Sequence, residues 1–593
     1  MNVFLGIHVG HNASAAIMIN GKIKYALQEE RFNNIKNFTG FPENSLNFIY
    51  NYINKINLNI DIAGFSTTAR HTFELKYPLH HHFSIKEFDE YYGEKFYSKK
   101  LKGKNVSDYI NFLKNDIRFK KKNIYSSIND NFLFEKKKNY QKISKEKLKN
   151  IFKEKIKKII FLDHHTCHAY YGKFSIDNKE KNYAVVVIDS IGDGINQSIW
   201  LPKNKSSLKS VVRNSQCDLG RIYKFITLIL NMKPDEHEFK VMGMAPYAKE
   251  KYFNQIYNNV FKDILKFKNL KIVHNKRPKD LYLFLKNKLK YERFDNIAGA
   301  VQFYVENTIN KLIFKIYKKY KIKKIFFSGG VSMNIKMYNK FMKNNFLTKI
   351  YNAPSGSDES LSIGACYYLN RDNKSFPLES LSIGLPLFSN TELANDVIRK
   401  EFKKRNYSVR YNVKPTKIAK LIKNNNIIAI ANGNEEFGAR ALGNRSIIAN
   451  PSDINNIKKI NEFIKNRDFW MPFALSINDA SANKYLFNSK KLESYYMNLS
   501  FDTKKKYYDK IKAGCHPYDR SVRPQFVKKI HNESLYEIIK EFNKITGINA
   551  LLNTSLNLHG FPKSSYLKYV IKTFKKSGLK YLYLNGSILI KKN

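Results

Sequence analysis

The chain has little with which to cross-link itself. Its four cysteines, Cys167, Cys217, Cys366 and Cys515, stand far apart, and no two have the spacing of paired metal ligands. A chain of 593 residues needs no disulfide framework to hold a core. No apolar run is long enough to span a bilayer. The opening MNVFLGIHVGHNASAAIMI lacks the basic start of a secretory leader, and His8, His11 and Asn12 interrupt it. These absences point to a soluble cytoplasmic protein. Acidic residues are also few, 50 Asp plus Glu against 104 Lys plus Arg, which leaves a formal charge of +54. Such a charge ordinarily suggests nucleic acid or another anionic surface. Here it is nearly all lysine, spread along the chain with Asn, Ile and Tyr. That is the pattern of an AT-rich coding sequence rather than of a local patch. With 43% hydrophobic and 14% aromatic residues, disorder is excluded as the default state.

What is present begins with a repeat. Near the start, NVFLGIHV, GHN, ASAAIMI, NG and KIKYALQEE read as strand, turn, strand, turn, strand, with Asn20-Gly21 a two-residue hairpin signal. Much later YAVVVID, SIGDG, INQSIWL, PKNKS and SLKSVVR repeat the order. In both copies a Gly- and Asx-rich turn joins the first two strands, a turn type whose N–H groups can hold phosphate. The repetition predicts a duplicated α/β domain with a nucleotide between its halves, although β-meanders also recur by chance. Residues 84–155 are Lys/Asn/Tyr-rich and read as a largely helical insertion or lid. Residues 222–320 read as mainly helical. The segment KKIFFSGGVSMN is a buried strand, a Gly-Gly turn and a helix start. The connector NRDNKSFPLESLSIGLPLFSN then divides the chain into domains 1–385 and 386–593, the second again alternating strands and helices.

Three of the fourteen histidines fall within five residues, His164, His165 and His168, in FLDHHTCHAYYG. On a helix His164 and His168, at i and i+4, share a face and suit one metal ion. The competing reading is a helix start with exposed histidines. Asp189, ending the buried run AVVVID, and Asp358 are candidate oxygen ligands, and such a set suits Fe(II), Mn(II) or Zn(II). Gly329-Gly330 lets backbone approach a nucleotide, or merely packs. Arginine is the scarce basic residue, at sixteen positions, yet Arg440, Arg445, Arg467, Arg520 and Arg523 lie in one stretch. Where lysine is used so freely, clustered arginine suggests bidentate binding of phosphate or carboxylate, with Ser555 and Asn557 completing the pocket. Structural Arg–carboxylate pairs are the alternative.

The segments GHNASAA, EERFNNIKNFTGFP, DHHTCHAYY, IDSIGDG, EFKVMGMAPY, FSGGVSMN, SDESLSIGA, EEFGARALGNRSIIANP, KNRDFWMPFALS, RPQFV and TGINALLNTSLNLHG occur in order. Together they resemble the O-carbamoyltransferase family that includes nodulation, cephamycin and tobramycin carbamoyltransferases, over almost all of the chain except residues 84–155. The resemblance implies a duplicated actin/Hsp70-like domain of the Kae1 type, followed by an α/β domain of the YrdC type. It implies an ATP-dependent transferase: the second domain makes carbamoyl-adenylate from carbamoyl phosphate and ATP, and the first passes the carbamoyl group to a hydroxyl of a sugar, glycan or natural product.

By position, the resemblance implies that His164, His168, Asp189 and Asp358 bind a divalent metal, iron(II) in the family. Glu238, Lys240, Gly329, Gly330 and Asn334 fall to the nucleotide, to which Gly10 and Asn12 of the first hairpin turn are added for its phosphate-type N–H groups, and Arg440, Arg445, Lys465, Arg467, Arg523, Ser555 and Asn557 to carbamoyl phosphate. His11 or an aspartate beside the metal, such as Asp189, is the expected proton acceptor. Three positions depart from the family pattern: Ala439 stands in place of Pro, Phe561 in place of Glu, and Lys563 in place of an apolar residue. Other acceptors stay open, among them a hydroxylated nucleic-acid base, as do a threonylcarbamoyl-type tRNA modification enzyme and a non-catalytic nucleotide-binding regulator. A homodimer is compatible with the sequence, and no membrane association is expected.

Overall fold

The computed structural model describes the chain except residues 70–82, 94–96, 104–136, 178, 389–390 and 404. Two compact units emerge. The first comprises Met1–Lys22, Asn37–Asn334 and Gly356–Phe376, the second Ile23–Lys36, Ile335–Ser355 and Pro377–Asn593. Compared with an expected division at 385/386, the chain makes its last crossing at 376/377. Two earlier segments, 23–36 and 335–355, also cluster with the C-terminal residues. Such exchanges involve contacts remote in sequence, which composition does not report.

The first unit is built twice on one plan. Strand Val3–His8 pairs antiparallel with Ser14–Ile19 and parallel with Ile60–Phe65, which pairs parallel with Ile156–Phe161. Later, Ala184–Gly192 pairs antiparallel with Ile195–Pro202, which pairs with Leu208–Asn214, and parallel with Lys324–Ser328. A hairpin followed by a crossover to a parallel strand thus occurs in both copies, as the duplicated α/β expectation requires. The strands Val3–His8 and Ser14–Ile19 are buried at every position, the mark of a sheet covered on both faces. Part of that cover is helix Leu361–Leu369, LSIGACYYL, which crosses helix His164–Phe174. Small residues permit the approach: a Cβ at Gly364 would lie 2.0 Å from the Cys167 carbonyl oxygen. A Gly364→Ala change therefore forces the two helices apart.

Within residues 84–155, the described helices are Ile85–Tyr92, Tyr97–Leu101 and Lys137–Phe152. Residues 94–96 and 104–136 of that insertion lie outside the described set. Ser84 and Glu87 form a reciprocal capping box, which starts the first helix where S-x-x-E is written. The mainly helical reading of 222–320 holds for Glu238–Met244, Leu281–Lys288 and the 27-residue helix Phe294–Tyr320. It misses a hairpin, Leu265–Lys268 with Lys271–His274, turned at Asn269 with φ 55°. The hairpin strands span four residues each, too few for a period-two pattern to stand out among lysines.

The second unit holds an eight-stranded mixed sheet. Its order is Tyr407–Arg410, Ile588–Lys592, Tyr581–Leu584, Ile428–Ala431, Arg445–Ala449, Ala550–Ser555, Ala474–Asn478 and Pro524–Val527. The last hairpin turns at Asn585-Gly586, both at positive φ, as an Asn-Gly pair allows. Helix Glu533–Thr546 is started by the Asn532 side chain, which accepts from Leu535 N, and stopped by Gly547 at φ 69°. Its Leu535, Ile538, Ile539 and Phe542 face the core.

Candidate functional site

In the first unit, Asp163 caps helix His164–Phe174, its carboxylate accepting from Thr166 N at 2.9 Å. The helix then sets His164 and His168 on one buried face. Asp189 lies within the second copy's first strand, three residues before its end, and Asp358 in the turn before helix Leu361–Leu369. Asp189 Oδ2 lies 3.1 Å from His164 Nε2 and 3.3 Å from His168 Nε2. Asp358 Oδ1 lies 3.6 Å from each. One ligand atom from each residue falls within 4.8 Å of the others, close enough to share one ion.

The donors also fit. His168 Nε2 has carboxylate oxygens nearby without a well-directed hydrogen bond to either, and His164 Nδ1 and His168 Nδ1 are buried without hydrogen-bond partners. Burial alone would lower the basicity of His168, but Asp189 and Asp358 outweigh it and raise its pKa to about 9. Burial would likewise raise Asp189, yet the two imidazoles hold it well below the usual carboxylate range. Two imidazole nitrogens and two carboxylate oxygens form a borderline donor set for a first-row divalent ion. His165 points elsewhere, bonded to Ser198 Oγ at 3.0 Å and the Ile195 carbonyl at 3.2 Å, and burial holds it neutral with a pKa of about 3. Cys167 is buried, its thiol pushed far up by burial, and serves packing.

Sequence reasoning missed two neighbours. His8 approaches Asp358 Oδ2 at 3.8 Å and bonds Ser66 Oγ and the His11 carbonyl, each at 2.9 Å. Asp193 accepts from the backbone N–H of His164 at 2.9 Å and of Thr68 at 3.0 Å, fixing the helix start. Period-two alternation puts His8 on an inward face but cannot name its partner. A Cβ at Gly192 would meet the His164 ring at 2.1 Å, so this turn is shaped around the ligand.

Of the residues expected at the nucleotide, Gly329 (φ 87°) and Gly330 abut the metal cluster. A Cβ at Gly329 would lie 2.5 Å from the Ile188 carbonyl, and one at Gly330 2.9 Å from Asp189 Oδ1. Gly10 (φ 116°) pairs with Gly40 in a short ladder, and Asn12 donates to Ser357 Oγ at 3.2 Å, beside Asp358. Asn334 exchanges two hydrogen bonds of 2.9 Å with Gln302. Glu238 and Lys240 share helix Glu238–Met244. Burial raises the Glu238 carboxyl to about 8, and its Oε1 accepts from Asp235 N at 2.7 Å. His11 lines a cleft with Asn37, Thr39, Phe88, Lys233 and Asp235.

The second unit gathers cations. Lys465 ends a π-helical turn, Asn461–Lys465, that stops at Asn466 with φ 43°. Its ammonium donates to Ser555 Oγ at 3.1 Å and Asn557 Oδ1 at 2.7 Å. Arg467 donates to Thr554 Oγ1 at 2.9 Å and lies 4.8 Å over the Phe473 ring. Arg523 has a buried Nε without a partner. Among the described residues, no carboxylate pairs with Lys465, Arg467 or Arg523. Burial, then repulsion from Arg440, lowers Arg467 to about 10, and burial with Arg440 and Arg467 pushes Arg523 well down. Lys465 is buried and the two arginines are half-buried; desolvated cations without counter-ions are costly, and an anion offsets that cost.

Arg445 is corrected. It donates from Nε to the Ser565 carbonyl, from Nη1 to Asn432 and Asn444, and from Nη2 to Leu385 and Gly433. A guanidinium has five N–H donors and backbone carbonyls take all five, so none is left for phosphate. Arg520 lies 4.7 Å over the Tyr508 ring.

The chain is similar to known proteins over most of its length. The family model described as Carbamoyltransferase N-terminus matches residues 3–367, and Carbamoyltransferase C-terminus matches residues 419–592. An uncharacterized protein of Methanocaldococcus jannaschii is 29% identical over the full length of both chains. Nodulation protein NolNO of Sinorhizobium fredii is 26% identical over 73% of this chain and 64% of its own. Among solved structures, component A of (R)-2-hydroxyglutaryl-CoA dehydratase from Acidaminococcus fermentans covers 62% of this chain and 97% of its own, at 13% identity and a TM-score of 0.30.

Proposed function

The chain belongs to the carbamoyltransferase family, and on that premise we propose that it is an ATP-dependent O-carbamoyltransferase with one reaction step in each unit. The observation that carries this reading is the cluster of buried Lys465 with half-buried Arg467 and Arg523, which lacks carboxylate partners among the described residues. Such a cluster is pre-built for a multiply charged anion, and carbamoyl phosphate with the ATP phosphates fits that description. The second unit converts carbamoyl phosphate, ATP and one water to carbamoyl-adenylate: water cleaves the O–P bond of carbamoyl phosphate and releases phosphate, and the carbamate oxygen then bonds to the α-phosphorus of ATP as pyrophosphate leaves. Its cations hold the phosphoryl oxygens and neutralise the charge carried off by pyrophosphate.

In the first unit, an acceptor hydroxyl forms a bond to the carbamoyl carbon, the bond to AMP breaks, and the hydroxyl proton passes to a base. His11 is placed for that role: it faces the cleft, and its carbonyl is fixed by His8, which also approaches Asp358. A divalent ion held by His164, His168, Asp189 and Asp358, iron(II) on the family resemblance, would supply Lewis-acid polarisation and charge neutralisation. Gly329 and Gly330 let a nucleotide approach that cluster without side-chain obstruction. The acceptor is a hydroxyl-bearing sugar, glycan or natural product. The test is to supply labelled carbamoyl phosphate and ATP with a panel of such acceptors and follow label into an ester-type carbamate. Label in an acceptor is the expected result; unlabelled acceptors alongside accumulating carbamoyl-adenylate would exclude this acceptor class, and His11→Ala with full transfer would remove His11 as the base.

A further inference from the structure

Lys563 lies in the second unit and is buried, with 4% of its surface exposed. Its ammonium donates to the carbonyls of Glu436 and Arg440, each at 2.7 Å, and lies 3.5 Å from Glu436 Oε2. Three protons meet three oxygens, so Lys563 has nothing left to offer a ligand. What it does is join the two ends of one short loop, residues 436–440. At the loop's middle Gly438 takes φ 89°, its N–H donates to Gln28 Oε1 at 2.9 Å, and its carbonyl accepts from Arg31 Nη2 at 3.0 Å. Glu436 Oε1 accepts from the N–H groups of Leu442, Asn444 and Arg445, anchoring the loop's start to the following strand.

The loop ends on Arg440, whose charge acts on Arg467 and Arg523. Like charges in a buried site repel. A loop containing Gly438, with no proline to stiffen it, has freedom to swing Arg440 away from that cluster unless its backbone is fastened. We propose that Lys563 is a positioning residue for the anion site: by clamping the carbonyls of Glu436 and Arg440 it holds Arg440 among Arg467 and Arg523 before the anion arrives. Lys563 stays inside without a matching external role because the loop carbonyls and Glu436 satisfy it. Burial, partly offset by Glu436, lowers its pKa only to about 8, so it is charged at neutral pH. This inference rests on the reading of the second unit as the phosphate-binding site.

The test is a double-mutant cycle on the full chain, with inorganic pyrophosphate as probe and calorimetric affinity as readout. K563M is expected to weaken pyrophosphate binding roughly 10-fold, the loss of one well-placed charged contact. R440A is expected to lose at least as much, and the double variant no more than R440A alone, because Lys563 acts through Arg440. A merely structural role would lower the melting temperature without this non-additivity. Should K563M leave Glu436 unpaired and fail to fold, K563M/E436Q replaces it: the amide oxygen still accepts the three backbone N–H groups, and no buried charge is stranded. The same loss is expected. Wild-type affinity in either folded variant, or losses that multiply in the cycle, would overturn the clamp. Absence of pyrophosphate binding by the wild-type protein would instead overturn the reading beneath it.

Discussion

The two sites are opposites in charge design. In the first unit, two imidazoles face two carboxylates at 3.1–3.6 Å, and every charge has an opposite neighbour. In the second, buried Lys465 and half-buried Arg467 bond only neutral groups, and the Nε of half-buried Arg523 has no hydrogen-bond partner. The difference teaches what each lacks. A balanced cluster tolerates an empty state and needs only a cation to replace shared protons. An unbalanced one stores electrostatic strain that an anion relieves. The first should therefore depend on its metal for activity more than for folding. The second should gain stability either by losing a charge or by binding phosphate.

The largest expected effect breaks the second site: R523A should weaken pyrophosphate binding roughly 10- to 100-fold, the worth of one charge-assisted bond. It should also raise the melting temperature in phosphate-free buffer, because a partly desolvated cation repelled by Arg440 and Arg467 is gone. A calorimetric titration and a melt on the same sample check both. Next, H164A should abolish stoichiometric metal, measured by elemental analysis, while pyrophosphate affinity stays within about twofold, as independent sites require. G192A should place a methyl group against the His164 ring and lower metal affinity roughly 10- to 100-fold without touching a ligand. Saturating pyrophosphate, at about 100 times its dissociation constant, should stabilise the wild-type protein by about 2.7 kcal/mol.

The smallest effect is a pH dependence. Burial holds Lys563 near a pKa of about 8, against roughly 10.4 in the unfolded chain. Between those values the unfolded chain binds more protons, so stability climbs as pH rises. Melting temperatures from pH 8 to 10 should show that climb in wild type and a shallower one in K563M.

Much of this contrast was legible in the sequence, for reasons that differ by residue. His164 and His168 are readable because helical spacing sets both on one face. Asp358 is less so, since 169 positions separate it from Asp189; its residue type made it a candidate, and no spacing rule joined it to the histidines. The arginine stretch was legible as a cluster, yet sequence cannot say which guanidinium faces a pocket. Arg445 sits five residues from Arg440 but turns its donors onto backbone carbonyls. Lys563 was visible as a departure from the family pattern, but not as a clamp, because its partners lie more than 120 residues away. The hairpins at Asn20-Gly21 and Asn585-Gly586 were fixed by local turn chemistry and needed no tertiary information.

The division of labour between the two sites is tested most directly by one acceptor-free assay. Wild type, the H164A/H168A double variant and R523A are each given ATP and labelled carbamoyl phosphate under reducing, metal-replete conditions, and pyrophosphate release is measured. Release by wild type and by the histidine variant, with little from R523A, is the predicted result. No release by wild type, or release lost with the histidines and kept in R523A, would contradict it.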